Sequence, residues 1–213
     1  MVNALCEELI LRKDEAINSE LQTVYLGGGT PSILSYDELQ QLFHTIFTYY
    51  KVSPSAEITL EANPDDFFRG SSPQQMLEQL RSLGINRLSL GVQSFFEEDL
   101  QLMNRVHSVA QVETLLQITP QYFDNITIDL IYGIPRMSKE RWQENINKAL
   151  SFDIPHISAY ALTVEEKTAL HKFIATGKIP PINDEQAYTH FQILIDTLEK
   201  EGFIQYEIGR ASC

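Results

Sequence analysis

The amino-acid sequence predicts an α/β protein whose parallel strands form a partial, open barrel of the TIM-like type. Two observations lead to this prediction. Short β-branched and aromatic runs recur at intervals of roughly 30 to 40 residues, and a segment with helical periodicity separates each run from the next. Within the runs, apolar and polar residues alternate, so the predicted sheet has one apolar face and one polar face.

Helices are predicted where apolar residues recur three and four positions apart, and strands where β-branched and aromatic residues cluster. Capping signals place several ends: Ser35 with Glu38 opens one helix, and Asn183 caps the last. The predicted elements are a helix at 1–15, a strand at 23–26, a helix at 36–50, a strand at 57–62, a helix capped by Ser72 and Gln75 and ended by Gly84, a strand at 87–93, helical segments at 96–104 and 111–118, a strand at 126–132, a helix at 139–150, a strand at 157–162 and a helix at 184–199.

The polar face of the predicted sheet continues from strand to strand. Its members are Glu57, Thr59 and Glu61; Arg87, Ser89, Gly91 and Gln93; Thr127 and Asp129; and Ser158 and Tyr160. A packed barrel interior would leave such groups unpaired, at a cost of about 1–3 kcal/mol each. We therefore expect about five parallel strands around a concave face that holds water and a polar ligand.

A run of three glycines, followed by Thr30 and Pro31, ends the first predicted strand. Glycine permits positive φ and close approach of the backbone to a ligand, and the free N–H groups of such a turn suit a carboxylate, phosphate or amino-acid moiety. No Gly-Lys-Ser/Thr sequence follows and no Gly-x-Gly-x-x-Gly spacing is present, which disfavours nucleotide and dinucleotide sites. A loop with tight steric needs remains the alternative.

Composition narrows the class of protein. The 213 residues are 43% hydrophobic, enough for a core, and the formal net charge of −13 makes nucleic acid an unlikely partner. No apolar run has the length of a membrane helix and the N-terminus lacks a basic signal-peptide region, so we expect a cytoplasmic protein. The two cysteines, Cys6 and Cys213, are too few for a disulfide framework or a three-cysteine metal site.

Three polar residues, Glu61, Gln93 and Asp129, come at or near the ends of predicted strands, where ligands bind in α/β barrels. The two carboxylates suit an ammonium group or ribose hydroxyls, and Arg105 could clamp a carboxylate. The alternatives are a polar network internal to the sheet and, for Arg105, a solvated loop residue. A barrel for a phosphorylated metabolite also fits the pattern, although the acidic face disfavours an anion.

Taken together, several segments resemble the radical S-adenosylmethionine (SAM) proteins of the oxygen-independent coproporphyrinogen III oxidase type. These segments are GGGTP at 27–31, EANP at 61–64, RLSLGVQSF at 87–95, NRVH at 104–107, IDLIYGIP at 128–135 and QYEI at 205–208. The segment ISAYALTVE at 157–165 is similar to the heme-chaperone branch of that family. The resemblance covers almost the whole chain.

The resemblance implies a SAM site. It assigns Gly28, Gly29 and Thr30 to the methionyl end of SAM with Glu61 nearby, Arg105 to its carboxylate, Gln93 and Asp129 to the ribose, and Thr163 to the adenine. It also implies heme or a porphyrinogen as a further ligand. His107 could be considered as a heme ligand, but a local hydrogen-bonding role is the simpler interpretation.

The family also carries a first strand and a Cys-x-x-x-Cys-x-x-Cys loop that binds a [4Fe–4S] cluster, and neither occurs in these 213 residues. We therefore expect a chain shortened at both ends, with a partial barrel over 1–180 and the start of a C-terminal region over 181–213. The strand at 23–26 would then be an unpaired edge that favours self-association. The leading hypothesis is the SAM-binding barrel portion of such a protein, catalytically incompetent alone; a non-catalytic heme carrier and an inactive gene fragment are the alternatives.

Overall fold

A computed structural model describes residues 1–207 and 210–212. Its α-helices are α1 (Val2–Arg12), α2 (Tyr36–Tyr49), α3 (Pro73–Ser82), α4 (Glu97–Leu102), α5 (Val109–Ile118), α6 (Lys139–Leu150), α7 (Ala169–Ala175) and α8 (Asp184–Lys200). Its strands are β1 (Leu21–Leu26), β2 (Val52–Ala62), β3 (Arg87–Gln93), β4 (Asn125–Tyr132), β5 (His156–Ala161), β6 (Ile204–Glu207) and β7 (Arg210–Ser212). Ile208, the last residue of the 205–208 motif, and Cys213 lie outside the described residues.

The seven strands form one sheet in the order β1-β2-β3-β4-β5-β7-β6. From β1 to β5 the neighbours are parallel and follow chain order, and these five strands curl into half of a barrel. The predicted fold class is thus confirmed. β7 pairs antiparallel with β5, whereas β1 has a hydrogen-bonded neighbour on one side only among the described residues. β1 is therefore the edge that the sequence predicts.

The apolar face of the sheet is the core of the molecule. Leu60, Leu88, Leu90, Ile128 and Leu130, which alternate along β2, β3 and β4, are fully buried. Six helices, α1, α2, α3, α5, α6 and α8, contribute buried apolar residues to this core. Both predicted capping boxes, at the starts of α2 and α3, are present.

The polar face differs between its two ends. Near the starts of the strands its side chains bind one another: Arg87 donates to Glu57 Oε2 at 3.0 Å and to Thr127 Oγ1 at 2.6 Å, and Asn125 Nδ2 donates to Glu57 Oε2 at 3.3 Å. The alternative of an internal polar network is therefore correct for this end. The carboxyl ends of the strands, where the candidate residues lie, form the remaining part of the concave face.

Several boundaries differ from the prediction. α1 ends at Arg12 and continues as a 3-10 turn over Lys13–Ala16, and β2 begins at Val52 rather than at residue 57. β2 includes Pro54, which has no N–H group to donate. The pairing of β1 with β2 is irregular between Leu21 and Thr23, and such an irregularity accommodates this residue. The sequence prediction missed α7, β6 and β7. α7 buries no residue and every residue of β6 is exposed, so neither carries a strong periodic pattern.

α8 packs on the sheet and on α6. The indole Nε1 of Trp142 donates to the carbonyl oxygen of His190 at 2.7 Å, and Gln186 Nε2 donates to the carbonyl oxygen of Ile134 at 3.2 Å.

The proposed division near residue 180 stays a prediction. In the part of the chain that the structure describes, none of the helices has the length and apolarity needed to cross a membrane.

Candidate functional site

The glycine turn follows β1 directly and has two distinct parts. Gly28 and Gly29 have φ values of +78° and +148°, and a Cβ atom on either would meet nothing within 4 Å. Only glycine adopts this backbone readily, and the open space above it leaves the turn accessible. Gly27 is different: a Cβ atom there would lie 2.7 Å from Tyr25 Cε1 and 2.7 Å from Glu61 Cδ.

Glu61, at the end of β2, is bound to this turn. Its Oε2 accepts a hydrogen bond from the backbone N–H of Gly28 at 3.2 Å, and its Oε1 accepts one from the hydroxyl of Tyr25 at 2.7 Å. The carboxylate thus lies across Gly27, in the space that the missing side chain leaves. Charge-assisted bonds of this kind are stronger than neutral ones and fix the orientation of the carboxylate.

The segment after β2 supports the turn from below. Asn63 Nδ2 donates to Thr30 Oγ1 at 3.5 Å, and the hydroxyl of the buried Ser32 donates to Asp66 Oδ2 at 2.5 Å. Asp66 Oδ1 forms an ion pair with Arg69 at 3.2 Å. These contacts connect Thr30 and Ser32 to the 3-10 turn Pro64–Phe68 and to the residue before it. The EANP motif and the turn that follows it are therefore bonded to the glycine turn.

Gln93 ends β3 in a left-handed backbone conformation, with φ of +68°. The pairing of β3 with β4 is irregular between Leu90 and Gln93, and this irregularity accompanies the unusual backbone. A non-glycine residue in this region costs about 1–3 kcal/mol and is typical of functional sites. The side chain is buried and accepts a hydrogen bond from Arg105 Nη2 at 3.3 Å.

Arg105 follows α4, and Asp129 lies in β4, the strand that pairs with β3. The surroundings of the guanidinium desolvate it and lower the pKa of Arg105, while the negative charges of Asp129 and Asp65 oppose that change. Burial of the phenol and then its contact with Glu61 raise the pKa of Tyr25 to about 12, and the charge of Asp129 contributes in the same direction. Asp129 therefore acts electrostatically on both groups.

Thr163 and His107 have different surroundings. Thr163 is exposed and lies just beyond β5, where the backbone of Leu162 donates to the carbonyl oxygen of Tyr132 at 2.8 Å. His107 is buried; its Nε2 lies 3.1 Å from the carbonyl oxygen of Val92 and its Nδ1 lies 3.8 Å from Asp65 Oδ1. Burial lowers the pKa of His107. Its role is local hydrogen bonding, as the simpler interpretation holds.

A groove of about 1040 Å³ runs along β1 from the glycine turn. α1 contributes Leu5 and Leu9 to its wall, and β1 contributes Val24 and Tyr25. The groove therefore connects the free edge of the sheet with the candidate site.

The sequence and the fold match known proteins. The family model of the radical SAM superfamily matches residues 4–149, which is more than half of the chain. The chain belongs to the radical SAM superfamily.

Within that superfamily the chain is similar to proteins named heme chaperone HemW. It is 35% identical to the one from Bacillus subtilis over 98% of this chain and 54% of the relative, and 35% identical to the one from Synechocystis over 98% of this chain and 49% of the relative. It is 32% identical to radical S-adenosyl methionine domain-containing protein 1 of Mus musculus, over 89% of this chain and 42% of that protein. The chain thus spans about half the length of the curated relatives it matches.

The solved structures agree. Coproporphyrinogen III oxidase (HemN) of Escherichia coli, described as a radical SAM enzyme, matches with a TM-score of 0.85 and 25% identity over 99% of this chain and 47% of that one. The archaeal Elp3 of Methanocaldococcus infernus matches with a TM-score of 0.67 and 20% identity over 91% of this chain and 48% of that one, which shows the fold alone. The resemblance to the HemW- and HemN-like group is therefore confirmed.

The described residues do not fit a [4Fe–4S] cluster. No group of three or more histidine, cysteine, aspartate and glutamate side chains is arranged there to hold a metal. Cys6 is buried on α1, with its Sγ 4.0 Å from the carbonyl oxygen of Gln41. Thiolate ligands to such a cluster come in sets, and one buried thiol cannot supply a set.

Sequence reasoning missed Tyr25 and Asp66. The prediction of a polar face rests on the second to fifth strands and leaves out β1. In the structure, Thr23 and Tyr25 of β1 pair with Glu57 and Thr59 of the polar face. Extending the alternation to β1 would have placed Tyr25 beside Glu61. For Asp66 the signal was its position two residues after Pro64, in a turn closed by its own side chain.

Proposed function

We propose that this chain is the SAM-binding portion of a radical SAM protein of heme or porphyrin metabolism. The observation that carries the proposal is the set of contacts at the strand ends, where Glu61 accepts hydrogen bonds from Tyr25 and from the Gly28 N–H, and Gln93 accepts one from Arg105. The charge of Asp129, in β4, also acts on Tyr25 and Arg105. One concave surface thus offers carboxylates, the accessible backbone of the glycine turn and a guanidinium. These are the groups that the ammonium, hydroxyl and carboxylate functions of SAM require.

In this proposal the eight residues keep the roles that the resemblance implies. Gly28, Gly29 and Thr30 bind the methionyl end with Glu61 at its ammonium group, and Arg105 pairs with its carboxylate. Gln93 and Asp129 bind the ribose, and Thr163 contacts the adenine. The acidic character of the site favours the sulfonium cation, since two carboxylates and one guanidinium leave it net negative.

Calorimetric titration with SAM of the wild type and of two variants tests these roles. Asp129→Ala and Arg105→Ala each remove a charged partner, whose hydrogen bonds contribute about 1.5–3 kcal/mol, so we expect affinity to fall by about tenfold or more. Asp124→Ala, at an exposed aspartate before β4, and Arg81→Ala, on the outer helix α3, are matched controls that should bind as the wild type does. Unchanged binding by Asp129→Ala would reject the site assignment.

We further propose that these 213 residues bind SAM without cleaving it. In radical SAM proteins the cluster supplies the electron that cleaves SAM, and the thiol set for a cluster does not occur in this sequence. After incubation of the chain with iron, sulfide, a reductant and SAM, we expect no 5′-deoxyadenosine by liquid chromatography. Its formation at more than the rate without protein would contradict this part of the proposal.

Heme carriage is the second candidate, because relatives at 35% identity are named heme chaperones. The structure restricts the histidines that could serve: His107 and His190 are fully or almost fully buried and bonded within the fold, whereas His44 and His171 are exposed. Titration with heme, followed by the Soret absorbance, tests this function. Saturable heme binding that persists without SAM would favour a carrier, and the absence of a Soret shift would reject it.

A further inference from the structure

Tyr25 contacts the candidate site through an atom that no assigned role uses. The residue is 59% exposed, and its hydroxyl donates to Glu61 Oε1 at 2.7 Å. Glu61 belongs to the next strand, so this bond joins the edge strand β1 to the end of β2. The bond lies beside the residues to which the proposed function assigns the methionyl end of SAM.

Gly27 makes this bond possible. A Cβ atom at that position would lie 2.7 Å from Tyr25 Cε1 and 2.8 Å from Glu61 Oε1, distances that real Cβ atoms do not adopt. The phenol ring and the carboxylate therefore occupy the volume that any other residue would fill. The first glycine of the turn serves the Tyr25–Glu61 pair, and the second and third leave the backbone accessible.

The two donors hold the carboxylate from two directions. Tyr25 binds Oε1 and the Gly28 N–H binds Oε2, so the carboxylate cannot rotate without breaking one of these bonds. An ionised carboxylate has about four lone-pair sites, and two remain for a ligand. A group held in its binding orientation before the ligand arrives loses less conformational freedom on binding.

We propose that Tyr25 is a positioning residue that orients Glu61 for the ammonium group of the bound ligand. The inference rests on the proposed function, because the ammonium group in question is that of the methionyl end of SAM. The phenol remains protonated across the physiological range, since its pKa is raised to about 12, and so it acts only as a donor to Glu61.

Two ligands separate this role from a general structural one. SAM carries the methionyl ammonium and carboxylate, whereas 5′-methylthioadenosine has the nucleoside and the sulfur but neither charged group. Tyr25→Phe removes only the hydroxyl. We therefore expect the affinity for SAM to fall by about tenfold and the affinity for 5′-methylthioadenosine to change by less than about twofold. Tyr188→Phe, at an exposed tyrosine of the outer helix α8, is the matched control and should change neither.

The outcomes are distinct. Equal weakening of both ligands by Tyr25→Phe, or no weakening of SAM, in a variant whose thermal melting matches the wild type would overturn the positioning role while leaving SAM binding intact. If Tyr25→Phe unfolds, Tyr25→Leu, which also lacks the hydroxyl, replaces it in the same comparison. Equal loss of affinity for both ligands again overturns the role. If the wild type binds neither ligand, the proposed function fails and this inference fails with it.

Discussion

Gly27 is closely packed although its neighbours in the turn are not. Its backbone has an ordinary conformation, so only the volume of a side chain is excluded there, while Gly28 and Gly29 are required by positive φ. The sequence predicts an accessible backbone, which close approach of a ligand would need, for all three glycines, and the structure has it at the second and third. The first is fixed by the contact between Tyr25 and Glu61.

Gly27→Ala should consequently weaken SAM binding more than it weakens the fold. The added methyl overlaps the ends of the Tyr25 and Glu61 side chains, which can move aside at little cost to stability but then lose the hydrogen bond that orients Glu61. Urea unfolding and SAM titration of the same preparation measure the two effects. Gly177→Ala, with φ of +69° and no neighbour within 4 Å, is the control for strain without overlap and should retain wild-type SAM affinity. Wild-type affinity in Gly27→Ala would contradict the packed arrangement.

Two buried histidines predict the response of stability to pH. Burial lowers the pKa of His107 and of His190 in the folded state. The unfolded chain, with histidine pKa values near about 6.5, then binds more protons than the folded chain just below that pH. The stabilisation is fully present above about pH 6.5 and is lost as pH falls from there through the lower folded-state values, so the free energy of unfolding should decrease in that direction.

Urea unfolding at a series of pH values between about 7.5 and 5 tests this expectation. His190→Gln and His107→Gln should each flatten the dependence, whereas His44→Gln, at an exposed position, should keep it. Burial raises the pKa of Asp99, so this residue affects stability in the opposite direction. Its contribution to the free energy of unfolding is lost as pH rises from about 3.8 through its folded-state pKa. A wild-type stability that stays constant over the whole range would disprove the assignment to the histidines.

At the scale of elements, the sequence predicted the parallel strands well because alternation in β2 to β5 follows directly from a sheet with one buried face. β3 and α6 have the predicted bounds. The same alternation, with the positions of Glu61, Gln93 and Asp129 at or near the strand ends, predicts that the three share one end of the sheet. α7 and the β6–β7 pair could not be found this way, since their side chains bury too little surface to impose a pattern.

The backbone of Gln93 was also beyond sequence reasoning. Nothing in RLSLGVQSF shows that the strand ends in a left-handed residue, because that conformation depends on the irregular pairing with β4. The contacts of Arg105 have the same origin: the sequence suggested a carboxylate clamp or a solvated residue, whereas its bond to Gln93 requires the turn after α4. The backbone of Gln93 and the contacts of Arg105 thus depend on how segments distant in sequence pair and pack.

β1 should be a site of self-association. An exposed strand edge offers unpaired backbone groups, and the groove beside it is lined by apolar residues of α1. Thr23→Lys places a charge on this edge, while Gln40→Lys adds the same charge on the exposed side of α2. Sedimentation velocity should show concentration-dependent association for the wild type and for Gln40→Lys, and less for Thr23→Lys. A monomeric wild type at all concentrations would reject this prediction.

At the scale of the whole molecule, the half-barrel has a polar concave face with two different ends. At one end the polar side chains bind one another, and the other end carries the candidate site. The Glu57–Arg87–Thr127 network closes the amino ends of the strands, and the glycine turn, Gln93 and Arg105 surround the carboxyl ends. This division is what an α/β barrel requires for stability and for binding respectively.

Calorimetric titration of the metal-free wild-type chain with SAM tests the central claim most directly. If the half-barrel holds a preformed SAM site, binding is saturable with one SAM per chain and is weakened by about tenfold or more in Asp129→Ala. An absence of binding by a chain that unfolds cooperatively, or equal affinity in the wild type and Asp129→Ala, would contradict the claim.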